Sequence, residues 1–406
     1  MAQPHLLSPA GFRAGAVYAG IKTKQAPDVG LLICDVPATA AAVFTTNKVF
    51  AAPIKVGREH IAGGKLRGIV VNSGNANACT GHQGEKDALR MCALAGQVTE
   101  CDPDLILPSS TGIIGHLMPM DKIEIGIRGA AANLGSDEHH AHSFAAAILT
   151  TDLRRKAAAA IVKIGRKTVT IAGVCKGSGM IGPRMALPGK ALHATMLAYL
   201  TTDAAIPAAL LRKLLDAASE NSFNAVTIDD HTSTNDTACI LASGLSGVKI
   251  DSPASIKSFT AALNEVCQSL AYQIAADGEG ATKVVTITVR QAKDQAAAKA
   301  IARAIANSPL VKCAMHGNDP NWGRIVSAAG LAGVAFDPDH ATLTLQGTVV
   351  FRAGQPLKFD AEKVSKSLKA SEVKVDLACK LGTAEATCWT CDLSKEYVTI
   401  NADYHT

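Results

Sequence analysis

The sequence predicts a mixed α/β (α+β) protein whose sheets are layered with helices. Three features carry this reading: runs that alternate with a period of two, segments whose apolar residues recur at helical spacing, and a core composition dominated by small side chains. Lys283 to Arg290 alternates, with Val285, Ile287 and Val289 on one face and Thr286 and Thr288 on the other. Ala341 to Phe351 does the same before its central Gly347. Thr195 to Leu200 is a short continuous apolar run, as expected of a strand buried on both faces. Ile256, Phe259, Leu263, Val266, Cys267, Leu270 and Ile274 follow helical spacing, with Ser252 and Pro253 as the start. A second helix is expected to follow Pro207, carrying Leu210, Leu211, Leu214 and Leu215 inward, and a third to cover Ala296 to Ala306. There is no internal repeat, low-complexity tract or linker.

The 406 residues are 48% hydrophobic and 18% charged, a balance that builds a core rather than a disordered chain. Aromatics are only 4% and there are 34 glycines, so close backbone approach is expected. The net charge of +5 is spread along the chain without a like-charged block, which argues against nucleic acid or a membrane surface as partner. No stretch reaches the ~18–20 apolar residues of a membrane span. The start, MAQPHLLSPAGFRAG, lacks the basic and apolar regions of a secretory signal, so the cytosol is the expected compartment. Eleven cysteines at irregular spacing fit reduced core thiols there, as with Cys34, Cys92, Cys239 and Cys267. Cys388 and Cys391 have the C-x-x-C spacing, but no second pair completes a zinc set. A strand through TCWTCDL would send the two thiols to opposite faces.

Seven stretches are too polar and glycine-rich for ordinary core. They are VNSGNANACTG (71–81), SSTGIIG (109–115), CKGSGMIGP (175–183), TSTNDT (232–237), DGEGATK (277–283), GNDPNWGRI (317–325) and the terminal INADYHT (400–406). One such cluster is usually a turn. Seven in one chain suggest loops converging on a polar site.

Together these motifs, with VFTTNKVFAAP from Val43, ATML followed by LTTDA, and the flanking KGSGMI, resemble the ornithine acetyltransferase (glutamate N-acetyltransferase) family over nearly the whole chain. The resemblance implies an N-terminal-nucleophile type of acetyltransferase fold. It also implies a precursor that cuts itself between Ala194 and Thr195 into an α chain (1–194) and a β chain (195–406). The two chains are expected to remain together and pair into an α2β2 heterotetramer. The implied reaction moves an acetyl group from N-acetylornithine to glutamate in arginine biosynthesis, by a ping-pong route through acetyl-Thr195. No metal or organic cofactor is implied, and acetyl-CoA is a further donor in some members.

The chemistry suits these residue types. A small residue at 194 leaves the scissile carbonyl approachable. The freed α-amine, with a reference pKa of ~7.7–8.0, can serve as base to its own hydroxyl, and the β-branch restricts χ1. By resemblance Thr111 and Gly112 form the oxyanion hole, where fixed donors stabilise the tetrahedral intermediate. Lys176 binds substrate, and its cation favours the neutral form of the Thr195 amine. One of Thr150 and Thr151 contacts substrate, Glu279 faces the substrate ammonium, and Asn401 and Thr406 complete the pocket from the tail. From Ala194–Thr195 alone, a core threonine at a strand end is the simpler reading; the surrounding motifs reverse it.

The sequence departs from the family between IGPRM and Ala194, where ALPGKALH lengthens the approach to the scissile bond by about eight residues, an insertion of small free-energy cost if it loops out. It also bears on the strain that self-cleavage requires. Asp230 and His231 stand where a glycine and an aspartate are usual, so a turn needing positive φ at 230 would be strained. Cys388 replaces a small residue. Two alternatives remain open from the sequence: an N-terminal-threonine hydrolase or aminopeptidase, and an uncleaved paralogue that binds an acetylated amino acid.

Overall fold

The computed structural model describes residues 3–187, 196–231 and 233–403. Within these, two compact units are distinguished. One holds the residues up to 224 together with 231–270, and the other holds 225–230 with those from 271 onward. The first unit includes strands from both sides of the Ala194–Thr195 bond, so compact unit and expected chain are different divisions of the molecule.

The first unit is built on an eight-stranded mixed sheet: β1 (Phe12–Val17), β2 (Val29–Phe44), β3 (Lys65–Asn75), β4 (Ile106–Ile113), β5 (Lys156–Ile164), β6 (Lys167–Lys176), β7 (Leu197–Thr202) and β8 (Thr237–Ala242). The order is β4-β3-β2-β8-β7-β6-β5, with β1 paired to β2. The β3–β4 and β7–β8 pairs are parallel and their neighbours antiparallel. Alternation along β2 sends Leu32 and Cys34 into one core and Leu31 and Ile33 into another. Helix α1 (Ala52–His60), α2 (Gly81–Thr99) and α3 (Met120–Ala132) add Val56, Met91, Cys92, Ile123 and Ile127 to the second core. Helix α4 (Glu138–Ala147) adds Phe144 to the first. A sheet covered on both faces explains why β7 is buried along its whole length, Tyr199 included.

Two more helices are anchored as the sequence suggested. Helix α5 (Ala208–Glu220) follows Pro207, and α6 (Pro253–Ala276) follows Ser252, whose hydroxyl accepts the Ser255 N–H at 3.2 Å. In α5 the inward stripe is Leu211, Leu214, Leu215 and Ala218; Leu210, expected inward, is only half-buried because it lies one position out of phase.

The second unit carries a six-stranded sheet of β9 (Val284–Ala292), β10 (Thr342–Leu345), β11 (Thr348–Arg352), β12 (Gln355–Pro356), β13 (Glu372–Ala378) and β14 (Ala384–Cys391). Its order is β12-β11-β10-β13-β9-β14. The alternating run at 341–351 is a hairpin, turned by Gln346 and Gly347, both at positive φ. Helices α7 (Gln295–Asn307), α8 (Pro309–His316) and α9 (Trp322–Gly330) cover one face, and α10 (Ala361–Ser367) and α11 (Lys395–Asp403) follow. Val285, Ile287 and Val289 of β9 meet Ala298, Ile301, Ala302 and Ile305 of α7. Asp294 caps α7 by accepting the Ala297 N–H at 2.9 Å. Cys388 and Cys391 are both buried free thiols on β14, three residues apart, so they project from opposite faces. Burial pushes both thiols up, Cys388 to about 11, which is the state of core cysteines rather than of a redox pair.

Ile301 has no exposed surface. Ile301→Ala should therefore lower unfolding stability by about 2–5 kcal/mol in urea titration. A loss below ~1 kcal/mol would contradict the packing described here.

Candidate active site

The centre of the first unit's site lies where β3 and β4 run out in parallel, with Ser73 opposite Thr111 and Gly74 opposite Gly112. Gly112 has φ of +131°, and a Cβ there would lie 2.6 Å from the Asn75 nitrogen and 2.7 Å from the Gly74 Cα. Only glycine fits this backbone approach. The polar character of residues 71–81 then has a structural cause. Ser110 Oγ donates to Asn72 Oδ1 at 2.6 Å, and Asn72 Nδ2 donates to the Asn75 carbonyl at 2.9 Å. Asn75 Oδ1 accepts the Asn77 N–H at 2.8 Å, while its Nδ2 reaches the carbonyls of His116 and Leu117, each at 3.1 Å. Asn235 of the TSTNDT stretch donates to the Ala76 carbonyl at 2.6 Å. Buried amides thus satisfy the irregular backbone that shapes this corner.

Lys176 ends β6 and is buried. Its Nζ donates to Thr150 Oγ1 at 2.8 Å and to Thr111 Oγ1 at 3.4 Å. The lysine therefore touches Thr150 and orients the Thr111 hydroxyl beside Gly112. Of the two candidate threonines, Thr150 is the one whose hydroxyl meets the lysine.

Sequence reasoning missed the group beneath this cluster. The Asp152 side chain is fully buried, and its carboxylate accepts from Lys156 Nζ at 2.6 Å, from the Gly177 N–H at 2.7 Å and from the Thr150 N–H at 3.2 Å. Lys176 Nζ stands 3.9 Å away. Burial alone would raise the Asp152 carboxyl; the ammonium groups of Lys176 and Lys156 and the two strongest hydrogen bonds more than offset it and hold the group at about 2. Lys156 is itself buried. In LTTDLRRK the acid and the lysine look like ordinary surface charges, and the one available hint is the four-residue spacing of Asp152 and Lys156.

Asp236 of the TSTNDT stretch lies just before β8. It is fully buried, and neither carboxylate oxygen accepts a hydrogen bond. Burial pushes its carboxyl well above the usual carboxylate range, with the Lys176 ammonium acting in the opposite sense. Its backbone is fixed by Thr45, whose N–H donates to the Asp236 carbonyl at 2.7 Å, and the next residue, Thr237, donates its N–H to the Met196 carbonyl at 2.8 Å. Asp230 does adopt positive φ, at 54°, a conformation that aspartate tolerates better than most residues.

In the second unit Glu279 is buried, and Asn401 Nδ2 donates to its Oε2 at 2.9 Å. Helix α11 is seated on the DGEG loop. Ser394 Oγ donates to the Gly280 carbonyl at 2.6 Å, and Tyr397 OH donates to Asp229 Oδ2 at 3.2 Å. Gly280, at φ +69°, leaves no room for a Cβ against Ser394. The DPNWGRI stretch is a helix start: Asn321 caps α9, and Trp322 stacks on Phe351 at 5.2 Å. Ala194, Thr195 and Thr406 lie outside the described residues. Among those described, no group of three or more His, Cys, Asp or Glu side chains is placed to hold a metal ion, and no helix is long and apolar enough to cross a membrane.

Asp152→Asn should cost about 3–5 kcal/mol, because two buried ammonium groups lose the carboxylate they face. The carboxylate's stabilising contribution is complete above pH ~4 and is lost as pH falls through about 2. Acid unfolding of the parent protein should therefore show a component in that window that the variant lacks; identical acid profiles would contradict the assignment.

The ArgJ family model matches residues 13–406. The arginine biosynthesis bifunctional protein ArgJ of a Bacillus cereus strain is 45% identical over 99% of this chain and 96% of its own length. That of Symbiobacterium thermophilum is 46% identical over 98% of each. A solved ornithine acetyltransferase from Mycobacterium tuberculosis, complexed with ornithine, is 34% identical over 45% of this chain and 96% of its own, with a TM-score of 0.41. The chain belongs to the ArgJ family and is an arginine-biosynthesis acetyltransferase of the glutamate N-acetyltransferase type.

Proposed function

We propose that the protein transfers the acetyl group of N-acetylornithine to glutamate through an acetyl-Thr195 intermediate, after cutting itself at Ala194–Thr195. One observation carries this reading. Lys176, in contact with Thr150 and Thr111, is the register partner of Leu197, two residues beyond Thr195 in sequence. The strand that follows the nucleophile is thus paired with the strand that ends in the substrate lysine.

In the first half-reaction the Thr195 hydroxyl attacks the acetyl carbonyl, with its own α-amine as base. The oxyanion is stabilised at Thr111 and Gly112, ornithine leaves with the proton, and an acetyl ester remains. Glutamate's neutral amine then attacks that ester and departs as N-acetylglutamate. Glu279, held by Asn401, would face the ammonium group of the substrate, with Thr406 completing the pocket. The route calls on no metal or organic cofactor. Acetyl-CoA would serve as a second donor, as the resemblance drawn from the sequence implies for some members of the family. The α and β chains would act together in an α2β2 assembly in the cytoplasm.

Incubation with N-acetylornithine in the absence of glutamate should place one acetyl group on the peptide that begins with Thr195, with glutamate discharging it. Thr195→Ala should take up none and remain a single chain. An acetylated, active Thr195→Ala variant would end the nucleophile assignment. Discharge by water as fast as by glutamate would favour the hydrolase reading.

A further inference from the structure

The loop between β1 and β2 brings a lysine to this site that the reaction scheme leaves unused. Asp28, fully buried, clasps the loop by accepting the N–H groups of Ala19 at 2.6 Å, Ile21 at 2.7 Å and Lys22 at 3.1 Å. The Tyr18 hydroxyl donates to the Lys22 carbonyl at 3.2 Å. The clasp lays Ile21 and Lys22 against Gly74, the partner of oxyanion-hole Gly112. A Cβ on Gly74 would lie only 3.3 Å from Lys22 Cγ. The half-buried Lys22 Nζ donates to the Pro27 carbonyl at 2.9 Å.

We propose that Lys22 lines the acceptor side of the pocket and binds the side-chain carboxylate of glutamate. The inference rests on the ping-pong reading above, which sets an electrostatic problem. One pocket must release ornithine, with a cationic side chain, and then admit glutamate, with an anionic one. By the reading above Glu279 serves the ammonium of the first substrate; a cation that can be withdrawn would serve the carboxylate of the second without opposing the first.

The charged groups around the Lys22 ammonium are Asp28, Lys176, Asp152 and Lys24, while Lys122 reaches the same loop through the Gly20 carbonyl at 2.6 Å. Both carboxylates are engaged elsewhere. Asp28 holds three backbone N–H groups, and Asp152 holds Lys156, Gly177 and Thr150. Burial lowers the Lys22 ammonium, Asp28 raises it, Lys176 lowers it, Asp152 raises it and Lys24 lowers it, leaving it at about 8. Lys22 therefore gives its proton to solvent at little cost beside the ornithine ammonium and regains it when a carboxylate enters. Its charge follows the substrate.

The test compares KM for glutamate and for N-acetylornithine in Lys22→Met and Lys22→Arg across pH ~6.5–9.5. Lys22→Met should raise KM for glutamate about tenfold or more, the scale of one charged hydrogen bond. It should lower KM for N-acetylornithine by relieving repulsion. The glutamate deficit should shrink as pH rises through about 8, where the parent loses the same charge. Lys22→Arg should restore glutamate binding and raise KM for N-acetylornithine at every pH. Parallel rises for both substrates, a deficit that ignores pH, or no change in either KM overturns the role of Lys22 alone. A parent enzyme that takes no acetyl group from N-acetylornithine overturns the underlying reading, and Lys22's role with it.

Discussion

The site of the first unit depends on a buried carboxylate between two buried ammonium groups. Asp152 holds Lys156 at 2.6 Å and the Gly177 N–H at 2.7 Å, and Lys176 stands 3.9 Å away. Such a cluster is costly to bury and more costly to break, because removing one member strands the others in a low dielectric. In return the end of β6 is fixed. Lys176 points toward the hydroxyls of Thr150 and Thr111.

The corner at Gly112 is held by a different device. Glycine at 112 allows β4 to press against β3, asparagine amides at 72 and 75 satisfy the irregular backbone beside it, and that of Asn77 ties it to the Gly84 carbonyl of α2. The rigid elements are the sheet strands, and Lys176, Thr111 and Gly112 lie at or near the ends of theirs. That division suits catalysis, which gains most from donors fixed before charge develops.

Much of this was legible in the sequence, for identifiable reasons. Period-two alternation in 283–290 and helical spacing in 256–274 each reflect one buried face, and both became the expected elements. The glycine- and asparagine-rich stretches announced irregular backbone, and two of them met as β3 and β4. The DPNWGRI stretch, equally polar, proved to be a helix cap and an aromatic stack. Asp152, Lys156 and Lys22 were not legible, because a charged residue in a short polar run looks solvated. Their burial is decided by strands distant in sequence: Gly177 for Asp152, and Gly74 for Lys22. Leu210 shows the smaller limit that apolar identity alone does not set helix phase.

The proposed chemistry requires Thr195 to become a chain terminus, and the insertion just before it is the feature that most directly challenges this. Intact-mass spectrometry of the purified protein under denaturing conditions decides the matter. A self-cleaved enzyme gives two masses, corresponding to residues 1–194 and 195–406. A single mass for the full 406 residues would contradict self-cleavage and would favour an uncleaved binding protein.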